Sequence, residues 1–380
     1  MDNSLKTRKI FAWLLFPLTM WYAIVVVLRN LFFSIGLIKE HTHAVTTIGV
    51  GNLCTGGAGK TPHVDYLLNL LKTDYRVACL SRGYKRGTKG FVLATDTTKV
   101  NDLGDEPYML HKRHADVHVA VCENRNQGIE KLLAQPEPPQ IIVLDDVFQH
   151  RYVKPDINIL LTEYDKPFFN DFVLPYGNLR EPRCGYKRAN IIIVTKTPST
   201  ADPIERYAFV QKINPKPHQQ VFFTSIQYQN PRPLNGNGPD LPLANLKNVL
   251  FVSGIANPQP AIEMLSDIVT VQHLAFGDHH KFEKEDYALI SSTFNKNQDA
   301  DTIILTTEKD AVRLTYSPHF QTIEQLPIYY LPISVKFVGR DGEEFSNGLA
   351  KTIRENVYYL STLVRNPRLN RREHWQSPNR

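Results

Sequence analysis

The chain lacks the features that define several narrower protein classes. It has four cysteines among 380 residues, and none of them form the short paired spacing of a metal or redox site: Cys54, Cys79, Cys122 and Cys184. This usage is typical of reduced thiols in a cytosolic compartment, so structural disulfides are not expected. No internal repeat is found either, and the composition indicates neither disorder nor a fibrous protein.

The charge balance is equally unspecific. A formal net charge of +6 is modest for this length, and it does not separate a nucleic-acid binder from a protein that works beside anionic lipid. The shares of 42% hydrophobic and 22% charged residues are ordinary for a folded protein. Because single domains usually run to roughly 100–200 residues, we expect two globular units with appendages.

The first forty residues differ from the rest. Residues 10–28 form an uncharged run of 19 residues that contains three Trp or Tyr side chains. A transmembrane helix needs about 20 residues, so the run predicts a membrane anchor that spans the bilayer or lies in its surface, bent at Pro17. A buried helix and a cleaved secretory signal are the alternatives, although no small-residue cleavage site follows. We predict a membrane-anchoring segment at residues 1–40.

From residue 44 onwards, short β-branched runs alternate with helical patterns, which is typical of a parallel α/β sheet. Strands are predicted at 45–50, 76–80, 117–121, 141–144, 157–161 and 190–194, and again at 249–252, 269–274, 302–305 and 328–331. A stretch rich in Pro, Gly and Asn at 230–239 indicates a linker between the two series. The predicted units are a P-loop NTPase-type core at 41–235, a smaller α/β domain at 236–364 and a basic tail at 365–380.

One segment between a predicted strand and a predicted helix has the composition of a phosphate-binding loop: Cys54-Thr55-Gly56-Gly57-Ala58-Gly59-Lys60-Thr61. Backbone N–H groups and a helix N-terminus converge on an anion at such a place, and glycines let the backbone approach it. Lys60 is expected to reach the terminal phosphates and the Thr61 hydroxyl to bind magnesium. Cys54 occupies the position of the first glycine in the strict pattern, so an ordinary glycine turn is the alternative.

Two carboxylates end the apolar run at 141–144. A carboxylate at the tip of a buried strand is where nucleotide-binding folds place the partner of magnesium. Successive side chains of a strand point to opposite faces, so Asp145 and Asp146 can both serve only if the backbone turns there. The alternative is one magnesium ligand and one helix cap.

Two further polar clusters carry weaker signals. Asp105-Glu106-Pro107 precedes a short helical pattern, and taken alone it indicates an N-cap and an acidic first turn. Asp278-His279-His280 lies in the second predicted unit and could be a metal site or a polar loop. A carboxylate of one unit and an imidazole of the other would form a general base across a cleft.

Taken together, these motifs resemble those of the tetraacyldisaccharide 4'-kinases, which phosphorylate the lipid A precursor of Gram-negative bacteria. The loop at 51–62 is joined by six further signatures: Ser81-Arg82-Gly83-Tyr84, Gly104-Asp105-Glu106-Pro107, Asp145-Asp146-Val147-Phe148-Gln149-His150, Leu179-Arg180-Glu181-Pro182, Gly254-Ile255-Ala256-Asn257-Pro258 and Asp278-His279-His280. Seven ordered signatures are far more specific than any one of them. Val147, where a glycine is frequent, and Tyr176-Gly177-Asn178 depart from the family pattern.

The resemblance implies ATP and Mg2+ as cofactors and a substrate cleft that faces the inner leaflet of the membrane. Asp105 would take the proton from the sugar 4'-hydroxyl, His279 would polarise Asp105, and Lys60 would neutralise charge on the γ-phosphate. The resemblance also implies roles for two further sets, a magnesium set of Thr61, Glu106, Asp145, Asp146 and Glu181 and a substrate or phosphate pair of Arg82 and Tyr84.

The implied partners are a lipid A disaccharide precursor and inner-membrane lipid, with no nucleic acid and no protein partner, at the cytoplasmic face of the bacterial inner membrane. The runner-up function is a membrane-tethered P-loop nucleotide switch. Thr195-Lys196-Thr197 ends a predicted strand as a guanine-recognition motif would, but Pro198 stands where that motif needs an aspartate. A scaffold with a vestigial loop is the third alternative.

Overall fold

The computed structural model describes residues 12–234, 239–296 and 301–365. The predicted tail at 365–380 lies outside these residues except for Arg365, as do residues 1–11 of the predicted anchor and residues 235–238 of the predicted linker.

The secondary structure alternates between strands and helices along most of the chain. The first part comprises α1 (Ala12–Ser34), β1 (Thr46–Asn52), α2 (Lys60–Leu71), β2 (Val77–Ser81), β3 (Val92–Leu93), α3 (Val100–Leu103), α4 (Asp105–Arg113), β4 (His118–Val121), α5 (Arg125–Leu133), β5 (Ile141–Asp145), β6 (Ile157–Glu163), β7 (Ile191–Thr195), α6 (Pro203–Ile213) and β8 (Gln220–Tyr228). The second part comprises β9 (Arg232–Pro233), β10 (Asn248–Ser253), α7 (Gln259–Ser266), β11 (Thr270–Ala275), α8 (Lys284–Lys296), β12 (Thr302–Thr307), α9 (Glu308–Tyr316), β13 (Ile328–Leu331), β14 (Ile333–Phe337) and α10 (Asp341–Arg365).

These strands form two sheets in the described part of the chain. The nine-stranded sheet has the order β14-β8-β7-β6-β1-β5-β2-β4-β3, and the five-stranded sheet has the order β11-β10-β12-β13-β9. The interior strands of both sheets pair in parallel, and β14, β3 and β9 add antiparallel edges. The predicted α/β class with a mostly parallel sheet is therefore confirmed. Each of the ten predicted strands overlaps an observed one.

The chain path differs from the predicted division at residue 235. After β13 the chain leaves the five-stranded sheet, and β14 pairs with β8 of the large sheet, Val335 lying opposite Ile226. α10 then packs on the large sheet, with Phe345 in the same core cluster as Ile48 of β1. The predicted unit 236–364 would place residues 333–365 with the small sheet, but these residues pack with the large sheet. The apolar stripe of α10 packs on the large sheet. This contact joins segments far apart in the chain, so local sequence does not predict it.

The N-terminal helix has one face on the protein and one face exposed. Among residues 15–34, the Tyr22 hydroxyl donates to the Arg180 carbonyl at 2.9 Å, and the Asn30 amide donates to Glu181 at 3.0 Å. The exposed side carries a set of large apolar side chains: Phe16, Leu18, Trp21, Ile24, Leu28 and Leu31. By length and composition the span Leu15–Ser34 could cross a membrane, and 6% of it is buried. It is the one such helix among the described residues.

Replacement of Phe345 tests whether α10 stabilises the large sheet. Phe345 is 1% exposed and packs on Phe222 and Phe337, so Phe345→Ala should lower the free energy of unfolding by about 3–5 kcal/mol. Urea unfolding followed by far-UV circular dichroism measures this change. Lys351→Ala, at an exposed position of the same helix, serves as the control and should change stability by less than about 0.5 kcal/mol. Equal, small effects of both substitutions would contradict the assignment of α10.

Candidate active site

Parallel pairing brings the predicted chemistry to one edge of the large sheet. β1 lies between β5 and β6, and β5 lies between β1 and β2, all of them parallel. The loops that follow these strands therefore leave the same edge of the sheet, where ligands bind in open α/β folds. This edge collects the phosphate loop after β1, the Asp145-Asp146 pair at the end of β5 and the Ser81-Arg82-Gly83-Tyr84 loop after β2.

The phosphate loop uses its glycines where the backbone needs them. Gly56 and Gly59 have φ of 107° and 81°, a left-handed conformation that a Cβ disfavours, and Gly59 immediately precedes α2. Cys54 does not have positive φ and instead forms an isolated antiparallel bridge with Leu179. The missing first glycine therefore leaves the loop geometry intact. Burial raises the pKa of the Cys54 thiol to about 12, so it is not a thiolate nucleophile at neutral pH.

The first residue of α2 reaches the carboxylate at the end of β5. Lys60 Nζ donates to Asn52 Oδ1 at 3.1 Å and lies 3.6 Å from Asp146 Oδ1. Arg180 Nη1 donates to both carboxylate oxygens of Asp146, at 3.0 and 3.1 Å. Two cations thus face one carboxylate beside the phosphate loop, an arrangement that attracts phosphate oxygens.

The backbone turns between the two aspartates, as their joint use requires. β5 ends at Asp145, and Asp146 has a φ of 48° in the left-handed region. Burial and then Asp146 raise the pKa of Asp145 to about 6. Although burial acts in the opposite direction, Lys60 and Arg180 hold the pKa of Asp146 below its usual value. The two neighbouring carboxylates therefore have different protonation behaviour.

The aspartate pair also fits a magnesium ion. Ser81 Oγ donates to Asp145 Oδ2 at 3.2 Å, whereas Asp145 Oδ1 is buried without a hydrogen-bond partner. Among residues 12–234, 239–296 and 301–365, no group of three or more His, Cys, Asp or Glu side chains could hold a metal alone. Magnesium at kinase sites is usually held by one or two carboxylates, with substrate phosphates and water completing the octahedron. A carboxylate pair with an unsatisfied oxygen matches that requirement.

Glu181, a member of the predicted magnesium set, is paired with protein donors in this structure. Its side chain is fully buried, and Oε1 accepts hydrogen bonds from Arg188 Nη2 at 2.8 Å and from Gln149 Nε2 at 3.1 Å. Its second oxygen, Oε2, accepts from Asn30 of α1 at 3.0 Å. Both oxygens thus accept hydrogen bonds from the protein, and Glu181 joins α1 to the site loops.

The predicted base lies at the start of α4, beside the loop after β2. Gly104, immediately before Asp105, has a φ of 90°, and a Cβ there would lie 2.9 Å from the Tyr84 carbonyl oxygen. A glycine is thus required where the two loops touch. Glu106 Oε1 pairs with Lys309 Nζ of α9 at 2.6 Å, which lowers the pKa of Glu106 despite its burial.

The predicted pair of Asp105 and His279 is brought together, but through a third residue. Arg313 Nε donates to Asp105 Oδ2 at 2.8 Å, and Arg313 Nη2 donates to His279 Nδ1 at 2.9 Å. Within the described chain, Asp105 and His279 do not hydrogen-bond to each other. A guanidinium has no acceptor, so the Nδ1 atom of His279 is the acceptor, and in the neutral ring the proton is on Nε2. Burial and Lys309 lower the pKa of His279.

The predicted substrate residues Arg82 and Tyr84 are both exposed, Tyr84 by 65%, and they follow β2 at the same edge. Sequence reasoning did not identify Lys309 and Arg313. The available signal was the charged run Glu308-Lys309-Asp310 directly after a predicted strand. Binding and catalytic residues are often found where a strand of a rigid sheet ends. Only the pairing of α9 with α4 shows which carboxylates they meet.

The family follows from comparison with known proteins. A family profile described as LpxK, tetraacyldisaccharide-1-P 4'-kinase, matches residues 11–354. The chain belongs to the tetraacyldisaccharide-1-P 4'-kinase family. A protein named tetraacyldisaccharide 4'-kinase from Bacteroides thetaiotaomicron is 41% identical over 361 residues, covering 92% of this chain and 95% of that one. Another of that name from Phocaeicola vulgatus is 42% identical over 360 residues, covering 93% and 97%.

A solved member of this kinase family has a similar fold. The structure described as an "apo" form of LpxK from Aquifex aeolicus in complex with ATP matches with a TM-score of 0.70 at 26% identity. The match covers 91% of this chain and 99% of that one. Both sheets of the present kinase-family chain therefore lie within the shared fold.

The raised pKa of Asp145 predicts a pH-dependent cost to the fold. The pKa of Asp145 is about 6 in the folded state, against an ordinary value of 3.8. Since one pKa unit corresponds to about 1.4 kcal/mol, ionisation of Asp145 lowers the free energy of unfolding by roughly 3 kcal/mol. Since the folded pKa is the higher one, stability is lost as pH rises from about 4 to about 7. Asp145→Asn should therefore match the wild type near pH 4 and become increasingly more stable up to pH 7.

Thermal unfolding of both proteins at pH 4, 5.5, 7 and 8 measures the difference. Asp74→Asn, at an exposed position, is the control and should follow the wild type throughout. A stability gap between Asp145→Asn and the wild type that does not change with pH would refute the burial of an ionisable carboxyl at this position.

Proposed function

We propose that this chain transfers the γ-phosphate of ATP to the 4'-hydroxyl of a tetraacyldisaccharide 1-phosphate, giving the 1,4'-bisphosphate of lipopolysaccharide biosynthesis. The family supports this reaction, and the relatives' name and the ATP complex of the solved structure agree with it. The observation that carries the proposal is a pair of ion pairs at one edge of the large sheet: Lys60 of the phosphate loop lies beside Asp146, and Arg313 of α9 holds the base candidate Asp105.

The two parts of this site are electrostatically coupled. After burial and Asp146, Glu106 also raises the pKa of Asp145, so the start of α4 lies within interaction range of the end of β5. The proposal requires that a nucleotide on the phosphate loop present its terminal phosphate towards Asp105. In-line transfer needs such an alignment of the acceptor hydroxyl and the phosphate.

Each residue of the proposed site then has a defined role. The loop N–H groups and the N-terminus of α2 bind the phosphates, and Lys60 with Arg180 balances the charge on the γ-phosphate. Asp105 accepts the proton of the acceptor hydroxyl at its carboxylate. Thr61, Glu106, Asp145 and Asp146 are the residues that would hold Mg2+, which when bound supplies charge neutralisation at the phosphates. Arg82 and Tyr84 lie where the acceptor or a phosphate would enter.

Membrane attachment accounts for access to a lipid acceptor. The exposed apolar side of α1 faces away from the protein, while Tyr22 and Asn30 on its other side bind the Arg180-Glu181 loop. Burial of such a face in the bilayer would place the site at the membrane surface. Because ATP is cytosolic, the proposed location is the cytoplasmic face of the bacterial inner membrane, with membrane lipid as a partner.

Lys60→Ala and Asp105→Ala should each abolish acceptor-dependent ATP turnover and leave the fold intact. Lys60 neutralises developing phosphate charge and Asp105 accepts the acceptor's proton, and each contribution is worth about 10²-fold or more. The measurement is ATP consumption with and without a lipid disaccharide 1-phosphate in detergent micelles. Lys99→Ala, a lysine in the turn before α3, is the control and should keep wild-type turnover.

The same assay separates the alternatives. Slow ATP hydrolysis that ignores the acceptor would replace the kinase by a nucleotide switch, and no turnover at all in the wild type would leave a scaffold. Full activity in a folded Lys60→Ala or Asp105→Ala protein would refute the assigned roles.

Substitution on the exposed side of α1 tests the membrane anchor. Deletion of residues 1–40 should weaken use of lipid substrate, but it also removes Tyr22 and Asn30 from the Arg180-Glu181 loop. Leu18→Ser with Trp21→Ser changes only exposed side chains, 59% and 69% exposed. We expect weaker vesicle binding and lower turnover of vesicle-embedded acceptor, with unchanged turnover in micelles. Equal use of vesicle-embedded acceptor by variant and wild type would refute the anchor.

A further inference from the structure

α9 of the small-sheet unit lies against α4, and ion pairs join them along their length. In the part of the chain that the structure describes, Asp105 pairs with Arg313, Glu106 with Lys309 and Arg113 with Glu308. The carboxylates at the start of α4 thus face cations of α9, and the cation at the end of α4 faces the carboxylate at the start of α9. The two helices run antiparallel with complementary charges.

Arg313 differs from the other cations of this interface in how completely it is fixed. Its side chain is 8% exposed, and Nη1 donates to Asp310 Oδ1 at 2.9 Å and to the Gly254 carbonyl at 3.0 Å. Asp310 is itself fully buried, and its Oδ2 accepts from Gly254 N–H at 2.8 Å and from the Thr307 hydroxyl at 2.7 Å. Contacts within the small-sheet unit therefore fix the guanidinium plane independently of Asp105.

The remaining donors of Arg313 point at the two residues proposed for proton transfer. Nε reaches Asp105 Oδ2 at 2.8 Å and Nη2 reaches His279 Nδ1 at 2.9 Å. A planar guanidinium can hold two acceptors at a fixed angle, which a lysine ammonium cannot do. One oxygen of Asp105 is thereby occupied, and the other oxygen is left to accept a proton from an acceptor hydroxyl.

From this geometry we propose that Arg313 is a positioning residue that orients the Asp105 carboxylate and fixes His279 beside it. It acts through Asp105 and not on the phosphate, so its contribution appears in the transfer step and not in ATP binding. The inference rests on the proposed kinase function, and it adds to that function a residue from α9 that completes the base.

Arg313→Met keeps an unbranched, flexible stem, although a shorter one, and removes every donor. We expect kcat for acceptor-dependent turnover to fall about 100-fold, the typical cost of a reacting group displaced by about 1 Å. The Kd of an ATP analogue, measured by titration calorimetry, should stay within about twofold, because Arg313 does not contact the phosphate loop residues. Arg313→Lys, which still offers a charged donor to Asp105, should recover kcat to within about tenfold of the wild type.

Glu308→Gln is the matched control. It weakens the third ion pair of the same two helices, with Arg113, and leaves Asp105 untouched. We expect a smaller stability loss than in Arg313→Met, which also leaves buried Asp310 without its cation, and a nearly unchanged kcat. If Arg313→Met does not fold, Arg313→Gln replaces it, with the same expected loss of kcat.

The outcomes separate this inference from the proposed function. If the wild type turns over and Lys60→Ala does not, yet Arg313→Met keeps kcat within threefold, Arg313 is merely structural and only this inference fails. A kcat of Arg313→Met above that of the wild type would mean that the ion pair restrains Asp105. A kcat loss in Glu308→Gln equal to that in Arg313→Met would assign the effect to the helix interface. Either result overturns the positioning role. Absence of acceptor-dependent turnover in the wild type would refute the kinase function itself.

Discussion

The antiparallel pairing of α4 with α9 is the interaction on which the site depends. The phosphate loop and the aspartate pair belong to the nine-stranded sheet, whereas His279 and Arg313 follow strands of the five-stranded sheet. α4 and α9 bring these parts together through charges of opposite sign. Partly buried ion pairs lose little to solvent screening, and their directions fix orientation more than they add stability. The pairing therefore sets the position of Asp105 relative to both units.

A second constraint joins the N-terminal helix α1 to the phosphate loop. α1 contacts the Arg180-Glu181 loop, and that loop in turn holds Asp146 through Arg180 and donates a backbone hydrogen bond to Leu53, directly before the phosphate loop. Glu181 is at the centre of these contacts, fully buried between Arg188, Gln149 and Asn30. These donors stabilise its charge, since a buried carboxylate must be paired with donors. The helix that would meet lipid thus packs directly on the loop that shapes the site.

Local sequence was a good guide to elements and a poor guide to partners. The ten strands and the start of α2 were predictable because β-branched runs and a glycine-rich loop before a helix act over a few residues. The return of β14 and α10 to the large sheet was not predictable, because an amphipathic pattern shows which face of a segment is buried but not which sheet it packs on. The predicted residue roles remain hypotheses for the variants above, and Glu181 shows why, since its neighbours come from distant parts of the chain.

The sequence by itself determined the class of fold, the phosphate loop with its tolerated Cys54, the carboxylates at the end of β5 and, through seven ordered signatures, the family. These are properties of short segments, and steric and hydrogen-bonding rules act on them locally. Only the tertiary structure decided that Arg313 stands between Asp105 and His279, and that Glu181 is enclosed by donors. Such contacts join residues up to 208 positions apart, and their geometry depends on how two sheets and their helices pack.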